Sequence, residues 1–88
     1  MLIRVRRTGG FAGIERRAEV DVSGRPDAPQ WRDLAERALA GGEAAPPAGV
    51  PDGFSYEITV DGRTVYAADP RLTGEQRELI SRVLKEGA

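Results

Sequence analysis

Phe54-Ser55-Tyr56-Glu57-Ile58-Thr59-Val60-Asp61-Gly62-Arg63-Thr64-Val65-Tyr66-Ala67 is the run on which the fold turns. Phe54, Tyr56, Ile58 and Val60 alternate with Ser55, Glu57 and Thr59, the period-two pattern of a strand with one buried face. Asp61-Gly62 then supplies the dipeptide favoured in two-residue type I′ turns, whose central positions both need positive φ. A turn of that length sets the register: Ile58 falls opposite Val65 and Tyr56 opposite Ala67. The apolar residues of both arms therefore share one face of a tight hairpin.

Downstream, Pro70 ends the second arm. Thr73 is placed to cap a helix, with Gln76 at the reciprocal position of a capping box, and Leu79, Ile80, Val83 and Leu84 form its apolar stripe up to Gly87. Upstream, residues 43 to 53 (Glu-Ala-Ala-Pro-Pro-Ala-Gly-Val-Pro-Asp-Gly) are too rich in proline for a helix or a central strand and read as a surface loop. Before that loop, Trp31, Leu34, Ala35 and Ala38 recur at helical spacing. The same signals bound this helix: Asp27 with Gln30 as a second capping box, Pro29 in the first turn, and a glycine C-cap at Gly41-Gly42.

The amino-terminal third repeats the hairpin plan with a longer tip. Ile3 and Val5 alternate with Arg4 and Arg6; after a glycine-rich stretch, Ile14, Ala18, Val20 and Val22 share one phase and Glu15, Arg17, Glu19 and Asp21 the other. Arg16 falls in the apolar phase, which predicts a rim position or a bulge. The element order is ββαββα. Two hairpins with one apolar face each and two helices with one stripe each are satisfied most simply by a four-stranded antiparallel sheet with both helices packed on one face. The expected organisation is an α+β fold, a single domain over residues 1–88. Trp31 is expected in its core.

Composition narrows the function. With 40% hydrophobic and 31% charged residues the chain is apolar enough to fold by itself. No cysteine is present, so disulfides and thiolate metal sites are excluded. No histidine is present either, which removes the commonest general base and metal ligand; the acidic residues have structural readings as caps, turn residues and cross-strand partners of Arg4 and Arg6. The expectation is a non-enzyme without cofactor or metal. Thirteen basic residues, twelve of them arginine, are balanced by fourteen acidic ones. The net charge of −1 gives no general attraction to nucleic acid or membrane. A local patch of Arg4, Arg6, Arg7, Arg16 and Arg17 is interrupted by Glu15, Glu19 and Asp21, which argues against nucleic-acid binding. The opening Met1-Leu2-Ile3-Arg4-Val5-Arg6-Arg7 has no apolar run of signal-peptide length, so the expected location is cytoplasmic.

That leaves the stretch Thr8-Gly9-Gly10-Phe11-Ala12-Gly13. A lone phenyl ring among glycines either caps the end of the core or is presented to a partner's pocket, and position alone leaves both open. A glycine-rich loop is suited to enter a cleft, place one apolar side chain and pair its backbone with the cleft wall. The opening Ile3-Arg4-Val5, the Gly9-Gly10-Phe11-Ala12-Gly13 loop, the strand ending Glu19-Val20-Asp21 and the later Phe54-Ser55-Tyr56 together resemble the emfourin family, small bacterial inhibitors of thermolysin-like (M4) metalloproteases such as protealysin. The resemblance covers most of the chain, and is sharpest over residues 3 to 22 and 54 to 60.

That resemblance implies a proteinaceous inhibitor, made in the cytoplasm beside a protease able to damage its producer. The partner would be a thermolysin-like, protealysin-like zinc enzyme, a class that favours a large apolar side chain just after the cleaved bond. Gly9, Gly10, Phe11, Ala12, Gly13 and Glu15 are the candidate protease-binding residues, with Phe11 as anchor. Any ligation of the enzyme's zinc would come from oxygen, either a loop carbonyl or a carboxylate such as Glu15, and steric blockade without ligation is equally open. The alternative is a non-enzymatic accessory domain that binds nucleic acid, or a protein that adds a strand to the sheet edge.

Overall fold

In the computed structural model, which describes residues 1–9, 15–46 and 53–87, the chain runs β1 (Leu2–Gly9), β2 (Arg16–Asp21), α1 (Ala28–Ala40), β3 (Phe54–Val60), β4 (Arg63–Ala68) and α2 (Gly74–Glu86). All pairings are antiparallel, as the two-hairpin reading predicts, and the sheet order is β2-β1-β3-β4. The Asp61-Gly62 turn has φ of 47° and 86°, and Ile58 pairs with Val65 and Tyr56 with Ala67. Asp61 also closes the sheet: its carboxylate accepts the Leu2 amide at 2.9 Å, and its own amide donates to the Leu2 carbonyl.

One face of the sheet carries the core. Ile3, Val5 and Ile58 are fully buried against Trp31, Ala35 and Ala38 of α1 and Leu79 and Val83 of α2, so both helices cover the same face. The opposite face is polar, with Arg4 bound to Glu19 at 3.0 Å and Thr59 to Thr64 at 2.9 Å. Of the two expected cross-strand acids, Glu19 has its arginine and Asp21 does not. Asp21 lies opposite Leu2, where it accepts the Ser23 amide and faces the terminal amine, because the register carries it past Arg4 to the end of the strand.

The two helix starts share a sequence pattern and differ in structure. At α2 the capping box forms as expected: Thr73 accepts the Gln76 amide at 3.1 Å and Gln76 accepts the Thr73 amide at 3.0 Å. At α1 Asp27 occupies the cap position but makes no side-chain cap bond, and Gln30 is exposed. The Asp27 carboxylate instead binds Arg25 at 3.0 and 3.1 Å and the indole nitrogen of Trp31 at 3.1 Å, three charge-assisted hydrogen bonds in place of a backbone cap. The expected glycine C-cap of α1 also takes another form. Gly41 stays right-handed at φ −87°, and Gly42 is required by packing, since a Cβ there would collide with the Val65 side chain.

The chain leaving α1 runs along the sheet. Glu43 and Tyr66 exchange both backbone hydrogen bonds at 2.8 Å, so the connector begins as a short bridge on the outer edge of β4. Residues 47–52 of the connector, Val50 among them, lie outside the described residues.

Candidate functional site: the base of the first hairpin

The register of β1 on β2 runs without interruption to Arg7 opposite Arg16, so Arg16 is a rim residue and no bulge forms among the described residues. Its guanidinium reaches across to the carboxyl end of α2 and donates to the Leu84 carbonyl at 2.7 Å. On the other side of the sheet, the Glu15 carboxylate lies between two guanidiniums, with Arg6 Nε at 3.1 Å and Arg17 Nε closer still. Arg6 also reaches Glu57 of β3 at 3.4 Å. The hydrogen bonds from Arg6 and then Arg17 hold the Glu15 carboxyl below the usual carboxylate range. Glu15 is thus already engaged on the outer face of the hairpin base.

Among the described residues β1 pairs with β2 as far as Arg7 and with β3 as far as Gly9, which lies opposite Phe54. Gly9 has φ +97°, in the left-handed region that disfavours side chains, and a Cβ on it would stand 2.9 Å from the Gly53 carbonyl oxygen. Gly10, Phe11, Ala12 and Gly13 lie outside the described residues. Of the six candidate residues, Gly9 and Glu15 therefore flank the loop as its last strand residue and its re-entry point.

Two residues outside the candidate set also shape this region. Phe54 is half-buried as the partner of Gly9, packed 6.4 Å from the Tyr56 ring, with the Arg7 guanidinium over its own ring at 4.3 Å. It belongs to the sheet, as the alternation of β3 predicts. Arg7 has the parity of Ile3 and Val5, which places it on the helix side, away from Arg4 and Arg6; that parity was the available signal. The arginines of the supposed basic patch are consequently split, Arg4, Arg6 and Arg17 standing in ion pairs on the polar face and Arg7 and Arg16 on the other.

Among the described residues no group of three or more acidic side chains converges in a way that would hold a metal ion, and no helix is long and apolar enough to cross a membrane. The family model described as Emfourin matches residues 5–84, a span that begins inside β1 and ends at the residue whose carbonyl Arg16 binds. The chain belongs to the Emfourin family. The match takes in both hairpins of this emfourin, save the first residues of β1, together with the proline-rich connector and nearly all of α2. No curated protein and no solved structure matches this emfourin.

Proposed function

We propose that the chain is a proteinaceous inhibitor of thermolysin-like (M4) zinc metalloproteases, acting in the cytoplasm, and that it enters the active-site cleft with the loop between β1 and β2. The observation that carries this reading is membership of the Emfourin family over residues 5–84, a span that includes the whole loop. Phe11 is the anchor that fills the enzyme's apolar pocket, and Gly9, Gly10, Ala12 and Gly13 allow close backbone approach.

The base of the hairpin supports this role in physical terms. A loop held by strands that are braced on both faces loses less conformational entropy on binding than one on free strands. Here Glu15 ties Arg6 to Arg17 on one face and Arg16 ties β2 to α2 on the other. We assign Glu15 to this brace and not to the enzyme's zinc, since ligation would forfeit two charge-assisted hydrogen bonds. Strand addition is less favoured at β4, whose outer edge is already taken by Glu43 at Tyr66 and by the Arg71 amide at the Ala68 carbonyl.

The test is inhibition of a thermolysin-like protease by the wild-type protein and by Phe11→Ala, with circular dichroism to verify folding. Wild-type inhibition that weakens by about tenfold or more in the folded variant, about 1.4 kcal/mol, is expected. Equal inhibition by both proteins removes Phe11 as anchor and retains the function, whereas a wild type inactive on every M4 enzyme tried overturns the function.

A further inference from the structure

On the helix side of the hairpin base lies a groove of about 310 Å³ bordered by four cations, Arg7 and Arg16 from the last described rung of the hairpin and Arg77 and Lys85 from α2. Its floor is apolar, made by Leu72, Ile80, Leu84 and the Tyr56 ring. Six other basic side chains, those of Arg4, Arg6, Arg17, Arg25, Arg37 and Arg82, each have a carboxylate within ion-pair distance. The four in the groove have none among the described residues, as is true of the scattered Arg32, Arg63 and Arg71, but only the groove gathers four of them, with no acidic side chain among its described lining.

Internal needs account for part of this cluster. Arg16 and Lys85 sit at the carbonyl end of α2, where a helix favours cations. Arg77 stands at the other end, with its amide bonded to the Thr73 carbonyl, where the helix dipole disfavours a positive charge. Arg7 is the stronger anomaly. Among the described residues its Nε is shielded from solvent with no hydrogen-bond acceptor, while its guanidinium stacks on Phe54. A shielded N–H donor without an acceptor is costly, and an anion in the groove would supply one.

We infer that this groove is a docking site for a carboxylate-bearing, partly apolar peptide segment of a protein partner. Guanidiniums pair carboxylates in bidentate fashion, and the apolar floor accommodates the aliphatic side chains beside an acidic residue, which a small inorganic anion leaves uncovered. The groove adjoins the hairpin base, so a protein that accepts the loop brings its own surface against these cations. The site goes beyond the proposed inhibition and does not depend on it.

The experiment is an NMR titration of the isotopically labelled full chain with the peptide acetyl-Leu-Asp-Glu-Leu-Glu-amide, read at the Arg7 and Arg16 Nε–H signals and the Ser81 and Lys85 amides. Saturable shifts confined to these groups are expected, weakened about tenfold or more by Arg77→Gln combined with Lys85→Gln, two exposed positions whose change leaves the core untouched. The inference is overturned by the absence of shifts, by equal shifts with inorganic phosphate, or by unsaturable shifts spread over Arg32, Arg63 and Arg71.

Discussion

Glu15 is exposed, yet it is the residue through which pH reaches the hairpin base. Its native carboxyl is held below the value of a free glutamate, about 4.3, so the stabilisation it contributes is fully present above that value and is lost as pH falls through the lower native value. Asp21, held low chiefly by the Ser23 amide, and Asp27, held low chiefly by Arg25, act in the same direction. The melting temperature is therefore expected to be level from neutrality to about pH 5 and to fall below about pH 4, with a shallower acid limb in Glu15→Gln and in high salt. Thermal melts across that range check it; a melting temperature unchanged at pH 3 would contradict the assignment. At this scale the sequence was legible wherever alternation decides a side chain's face, as for Ile3, Val5 and Ile58. It was not legible for Asp27 and Asp21, whose partners depend on which of several nearby donors wins.

Gln76 and Gln30 show the same ambiguity one level up, in whole elements. Both follow a capping residue by three positions, but only Gln76 is drawn into the structure, buried with its amide nitrogen donating to the Ala38 carbonyl of α1 at 3.2 Å. Its side chain therefore fastens the two helices together as well as capping α2. Removing it leaves a buried carbonyl of α1 unsatisfied, so Gln76→Ala is expected to cost about 2–3 kcal/mol, against about 1 kcal/mol for the cap alone in Thr73→Ala. Urea denaturation of the two variants checks the order, and a larger loss in Thr73→Ala would reverse the interpretation. Helix and strand boundaries were readable because apolar period and cap residues are local signals. The end of α1 was not: Gly42 reflects the proximity of Val65, a contact between segments far apart in sequence.

Over the whole molecule, what local pattern could not supply is how the two hairpins meet. Their contact is the β1–β3 pairing, which puts β1 and β3 at the centre and β2 and β4 at the edges. The alternation of antiparallel hydrogen bonds, counted from the Val22 amide on the Met1 carbonyl, points the amides of Arg17, Glu19 and Asp21 away from β1. Hydrogen exchange is accordingly expected to be slowest at Val5 and Ile58 and faster by orders of magnitude at Arg17, Glu19 and Asp21. Uniform protection along β2 would indicate that its outer edge is covered in solution. The same pairing locates the proline-rich connector, which re-enters the sheet at Gly53 and Phe54 directly beside Gly9. The sequence placed neither segment relative to the other, because a register between distant strands leaves no local trace.

Gly9, the last described residue before the loop, and the Asp61-Gly62 turn therefore stand at opposite ends of β1. The separation from Gly9 to Leu2, which Asp61 binds, is about 23 Å along the eight residues of the strand. Arg63, exposed and next to the far turn, lies in a chain that has no cysteine of its own. An Arg63→Cys thiol would accordingly be the sole thiol for a dye or a sensor surface, orienting every molecule with the Gly9 end of the sheet outward so that binding is recorded from one defined direction.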